Sequence, residues 1–147
     1  MHASVSIRQL GLEDYDRWMS LWERAGLHSA RPLGRDSREA FGAQFAAHTH
    51  IMLGLERDLE LIAVVLVTHD GRKGWINRLA VLPEHRRQRY AARLLQEAER
   101  VLKAQGIHVI AALIEPDNEA SLAFFRQAGY AETAGMHYVS KRDRSEA

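Results

Sequence analysis

Between Glu60 and Thr68 the chain reads Leu61-Ile62-Ala63-Val64-Val65-Leu66-Val67, with no polar side chain. The run is far too short to cross a membrane and is rich in β-branched residues, so it reads as a strand. Successive side chains of a strand point to opposite faces, so a strand apolar at every position must be covered on both. That places it in the middle of a sheet with helices on either side. The 147 residues suffice for one compact domain and are too few for two. One sheet and its helices therefore have to account for residues 1–147, with a charged tail from about 141.

The period of the apolar residues places the other elements around this strand. Val5 to Leu10 predicts a first strand ended by Gly11. Glu13 to Arg24 puts Tyr15, Trp18, Met19, Leu21 and Trp22 on one side of a helix closed by Gly26. After a loop over 27–35, Asp36 with Glu39 reads as a capping box for a second helix, with Ala40, Phe41, Phe45 and Ala46 inward. Ile51 to Glu56, Glu60 to Thr68 and Gly74 to Val81 form a meander with turns at Arg57-Asp58 and His69 to Arg72. A helix over about 89–105 ends at Gly106, and Ile107 to Ile114 predicts a further buried strand. Asp117 caps a last helix to Ala128, and Tyr130 to Ala134 with Met136 to Lys141 suggests a closing hairpin. The order predicts an α+β or α/β fold, with a mixed, mostly antiparallel sheet flanked by helices on both faces.

A net charge of +1 gives no overall field to draw in nucleic acid or an anionic membrane. With no cysteine there is no disulfide framework, thiol nucleophile or zinc-thiolate site. No apolar stretch is long enough to span a membrane, and the N-terminus lacks a basic region before an apolar core, so a cytoplasmic protein is expected. The basic residues are instead concentrated locally. The apolar run ending at Leu82 meets Pro83, and Arg86, Arg87, Arg89 and Arg93 surround the start of the next helix. A helix N-terminus is already positive, so cations there are unfavourable unless a polyanion shares the site with the free backbone N–H groups.

The stretch Leu79 to Leu95 resembles the acyl-CoA-binding motif of the GNAT acetyltransferase superfamily, a strand followed by Arg/Gln-x-x-Gly-x-Gly/Ala. Arg86 matches its first position and Ala91 its last. Within the superfamily the chain resembles bacterial YpeA-like members through Asp70-Gly71-Arg72-Lys73-Gly74-Trp75-Ile76, Leu79-Ala80-Val81-x-Pro83-Glu84, Asn118-x-x-Ser121-x-x-Phe124-Phe125 and Ala128-Gly129-Tyr130. The resemblance covers nearly the whole chain and implies the GNAT fold. It also implies an N-acetyltransferase that moves an acetyl group from acetyl-CoA to an amine of a small molecule or protein, without a metal, nucleic acid or membrane partner. The oligomeric state cannot be read from the sequence; by the resemblance a homodimer is one possible state, since small GNAT proteins are frequently dimers.

By the same resemblance, Leu79, Ala80 and Val81 would pair with the pantetheine arm as an added strand, and a backbone amide there, Leu79 foremost, would polarise the carbonyl. Arg86, Arg87, Gln88, Arg89, Tyr90, Ala91 and Ala92 would hold the diphosphate, with Asn118 and Phe125 beside the arm. Leu79 to Val81 also reads simply as core strand, and Asn118 as a helix-start residue. Arg89 stands where the family has its central glycine. That glycine serves either a positive φ or close approach of a phosphate; turned outward, the Arg89 side chain could instead bond one. Phe125 replaces a tyrosine that relatives use to protonate the leaving thiolate. Tyr90, Tyr130 and Tyr138 are the substitutes on paper, of which Tyr138 is the catalytic candidate. The loop between the first two helices would border the acceptor pocket, with Trp22, Asn77 and Arg78 as acceptor-site residues. An Arg78 facing the cleft would favour an anionic acceptor. No base stands out; His28, His50 and His85 are candidates through water. The rival reading is a GNAT-like module that binds acyl-CoA with little or no catalysis.

Overall fold

The computed structural model describes residues 4–147. Val5–Gln9 (β1), His50–Arg57 (β2), Glu60–His69 (β3), Lys73–Val81 (β4) and Val109–Ala111 (β5) form one sheet in that spatial order. The helices are Tyr15–Arg24 (α1), Arg38–Ala46 (α2), Tyr90–Ala104 (α3) and Glu119–Gln127 (α4). β1 to β4 pair antiparallel and β5 joins β4 in parallel, so the sheet is mixed and mostly antiparallel, as the sequence predicts.

β3 is the central strand: Leu61 to Val67 are all buried, and α1 and α3 both pack on it. From α1 come Trp18, Leu21 and Trp22, which with Phe41 of α2 build an aromatic cluster whose Trp18 and Phe41 rings meet edge to face at 5.2 Å. From α3 come Leu94, Leu95, Ala98 and Leu102. Leu102 and Ile107 approach β4 so closely that a Cβ on Gly74 would meet a Leu102 methyl at 2.6 Å, which accounts for glycine there.

Two features of β4 position the site. Its register with β3 pairs Ala80 with Val64 and Asn77 with Leu66, so Arg78 and Leu79 together face Val65 alone. This is a β-bulge, and Arg78 adopts φ 49° within it. On the other edge, β4 pairs with β5 only from Lys73 to Trp75, after which the two strands part.

Several expectations are corrected. Asp36 does not cap α2: Ser37 does, its hydroxyl accepting from the Ala40 N–H at 3.0 Å, because the Asp36 carboxylate is engaged elsewhere. Ala46 is exposed rather than inward. The cap of α4 is Asn118 rather than Asp117, accepting from Ser121 N–H at 3.2 Å. The strand expected over 107–114 is reduced to Val109–Ala111, since beyond Trp75 it has no neighbour to pair with. The closing hairpin does not form: residues 131–141 are exposed and hold no strand, including Met136, Tyr138 and Val139. A lone hairpin is marginal in water, and so short a β5 offers it little edge to build on.

Candidate active site

The turn between β4 and α3 begins with Pro83–His85 as a 3₁₀ turn and ends at Arg89. Arg87 and Arg89 both take positive φ, 65° and 64°. Each costs about 1 kcal/mol for a residue with a Cβ. The conformation that a glycine would supply is thus kept by arginine. Among the described residues, no N–H from Arg87 to Ala92 has a hydrogen-bond partner, and α3 has no side-chain cap and no acidic residue in its first turn. Consecutive free amides at a helix start form a nest for an anion. Around it Arg87, Arg89 and Arg93 make no ion pair among the described residues. Arg86 is used differently. Its guanidinium donates to the Val81 carbonyl at 3.1 Å and the Ala25 carbonyl at 3.3 Å, tying the turn to the end of β4 and to α1.

From this nest the β5-side edge of β4 runs past Val81, Ala80 and Leu79, all partly buried and, beyond Trp75, paired with no strand on that side. At its far end lies the bulge. Arg78 donates from one terminal nitrogen to Asp36 Oδ1 at 2.5 Å and from the other to the Ser29 carbonyl at 3.3 Å, and its guanidinium lies 4.9 Å from the centre of the Trp22 ring. The pair is nearly dry, with side chains 11% and 3% exposed. Asp36 Oδ2 accepts from the Arg31 N–H at 2.5 Å, and the Tyr15 hydroxyl donates to the Asp36 carbonyl at 2.7 Å. Burial and then the Arg78 charge lower the pKa of neighbouring Arg35 below the usual arginine value.

The structure therefore joins Trp22 and Arg78, but as buried groups: Trp22 is 1% exposed, and Arg78 covers its ring. Because Arg78 is neutralised by Asp36, the argument that its free charge favours an anionic acceptor falls away. Asn77 bonds Thr68 Oγ1 across the strands at 3.0 Å. Asn118 caps α4. Phe125 is buried against Phe124 and Tyr130, with ring centres 5.2 and 5.0 Å apart. Tyr90 is buried at the foot of α3. The Tyr130 hydroxyl donates to Glu99 at 2.6 Å, and burial together with this bond pushes its pKa well above the usual tyrosine value. Tyr138 is 73% exposed on the segment after α4, and no bond brings it to the other candidates. Of the histidines, His50 lies beside Thr49 Oγ1 at 2.9 Å, and burial lowers its pKa. Asp36 is the residue that sequence reasoning placed wrongly. Its signal was faint: an acid next to a serine that caps equally well.

Solved proteins of similar fold were found by comparison. The aminoglycoside 6'-N-acetyltransferase AAC(6')-IG of Acinetobacter haemolyticus is 24% identical, with 95% of this chain and 99% of that one aligned at a TM-score of 0.74. AAC(6')-Iy, solved with the bisubstrate analogue CoA-S-monomethyl-acetylneamine, is 19% identical over 95% and 99% of the two chains, with a TM-score of 0.79. The PaiA N-acetyltransferase of Thermoplasma acidophilum, solved in complex with coenzyme A, is 21% identical over 85% and 88%, with a TM-score of 0.72. At these identities the likeness is one of fold. The model of the Acetyltransferase (GNAT) family matches residues 13–130, from the turn before α1 to the residue after Gly129, and the chain belongs to that family.

Proposed function

We propose that this protein is an acetyl-CoA-dependent N-acetyltransferase that moves the acetyl group to a primary amine of a small molecule or a protein by direct attack in a ternary complex. The observation that carries the reading is the run of unpartnered amides from Arg87 to Ala92 among unpaired guanidiniums. Such an array is unfavourable alone and complementary to a diphosphate. The residues present fit the donor in a second respect, since β4 has no strand beside it on the β5 side from Leu79 to Val81, and an extended amide-bearing arm can pair there with the groups that the Arg86 bond to the Val81 carbonyl leaves open.

Acetyl-CoA supplies an activated acyl group on a thioester. The protein's part is to hold and polarise it. The nest from Arg87 to Ala92 binds the phosphates, with Arg89 and Arg93 adding charge-assisted bonds. Ala80 and Val81 align the arm, beside Asn118 and Phe125. The Leu79 N–H, turned out of the ladder by the bulge, donates to the carbonyl oxygen as negative charge develops there. The amine nitrogen then bonds to the carbonyl carbon, the C–S bond breaks, and the amine proton passes to water. Phe125 cannot donate a proton, and Tyr138, 73% exposed after α4, makes no bond to the other candidates among the described residues. The thiolate therefore leaves unassisted, which a thiol pKa near about 8.5 permits at moderate rate.

Calorimetry with CoA and CoA release from acetyl-CoA over a panel of aminoglycosides, polyamines and peptide amines test the proposal. Micromolar CoA binding with turnover on at least one amine is expected. Binding without turnover on any of them would favour the non-catalytic acyl-CoA module, and no binding would remove both.

A further inference from the structure

We infer that Asp36 is a positioning residue: acting through Arg78, it holds the β4 bulge in the shape that presents the Leu79 amide to the thioester. The inference rests on the role proposed above for that amide. Arg78 sits at φ 49°, a conformation glycine adopts freely and a side-chain-bearing residue resists. The β3–β4 ladder does not impose it, since neither Arg78 nor Leu79 has a register partner. What holds it is the side chain. Its guanidinium is fixed by Asp36 Oδ1, the Ser29 carbonyl and the Trp22 ring.

Asp36 is anchored in turn by the Arg31 N–H, which donates to its other carboxylate oxygen, and by the Tyr15 hydroxyl, which donates to its backbone carbonyl. A continuous chain of contacts therefore runs from α1 through the 29–36 loop to the backbone beside Leu79. The carboxylate has no competing task, because Ser37 caps α2. Removing its charge leaves a guanidinium buried on an aromatic ring without a counter-ion. Arg78 then turns towards water, and the backbone it pins relaxes from positive φ.

The test separates the charge from the conformation. Arg78→Gly and Arg78→Ala both lose the tether, but only glycine takes the positive φ without strain. Hydroxylamine serves as the amine, because it is too small to need the acceptor loop. Two quantities are read: kcat for CoA release, and the infrared carbonyl band of bound acetyl-CoA, which falls as the oxygen accepts a stronger hydrogen bond. Arg78→Ala and Asp36→Asn are expected to lower kcat about tenfold with the KM for acetyl-CoA unchanged, and to return the band towards its free position. Arg78→Gly is expected to retain a lowered band and a higher kcat than Arg78→Ala. In its background Asp36→Asn should change kcat less than about twofold, because two changes on one pathway are not additive.

Equal bands in Arg78→Ala and Arg78→Gly, or an undiminished Asp36→Asn effect in the glycine background, would overturn the inference. The Arg78 pair decides the matter even where Asp36→Asn does not fold, and the band decides it without turnover. If the wild-type protein gives no heat with CoA, it is the proposed function that fails.

Discussion

Arg89 carries both a strain and a charge, and the two can be separated. At φ 64° it caps α3 in a conformation where glycine has no side chain to accommodate. Arg89→Gly is expected to raise stability by about 1 kcal/mol in urea denaturation. The same change removes a guanidinium from the proposed phosphate nest, so the Kd for CoA should rise several-fold, most clearly at low salt. A variant that gains stability and keeps its CoA affinity would mean that this side chain takes no part in binding. The motif left two purposes open for its glycine, a positive φ or close approach of a phosphate, and the structure shows the first at Arg89. The direction of the Arg78 side chain was not. Its partner Asp36 lies in a loop 42 residues away, and no local pattern pairs an acid in a turn with a base on a strand.

Among the elements, α3 sets the chemistry through its first turn. Ala92 is exposed there, at a position where an acid would normally be favoured. Ala92→Glu should therefore stabilise the free protein by about 0.3–1 kcal/mol, seen as a raised Tm. On the proposed binding mode it should also weaken CoA binding at least tenfold in calorimetry, by placing a carboxylate beside the phosphates. Opposite signs on the two readouts distinguish an anion site from an ordinary helix start. The elements best read from sequence were those with the strongest periods: β3 by its unbroken apolar run, the meander by its turns, α3 by its apolar stripe. β5 and the expected hairpin failed for a shared reason. A strand exists only if a neighbour offers it a ladder, and after Trp75 the bulged β4 no longer does.

At the scale of the whole molecule, an ion-pair network ties α1 to the β1 side of the sheet. Arg8 of β1 bonds Asp14 at 2.9 Å and Glu56 of β2 at 2.8 Å, and Arg17 of α1 bonds the same two carboxylates at 3.0 and 2.8 Å. Asp14 and Glu56 are held below their ordinary values of 3.8 and 4.5, chiefly by hydrogen bonds from Arg8. A depressed carboxylate stabilises the fold above its ordinary pKa, and that contribution disappears as pH falls through the folded value. Stability in urea should thus be flat from pH 7 to about 5 as far as these groups are concerned, then drop by roughly 1–2 kcal/mol below pH 4, discounted for the exposure of the arginines. Arg8→Met should lower stability at pH 7 and flatten the acid limb. An unchanged limb would place the acid sensitivity elsewhere.

The parting of β4 and β5 has a consequence for the protein's life in a cell. On the proposed reading the acyl donor lies along that seam, so its binding draws the folding equilibrium towards the native state. Each tenfold excess of donor over its dissociation constant adds about 1.4 kcal/mol of resistance to unfolding. The amount of intact protein would then follow the supply of the donor it consumes, and starvation for one would show first as loss of the other.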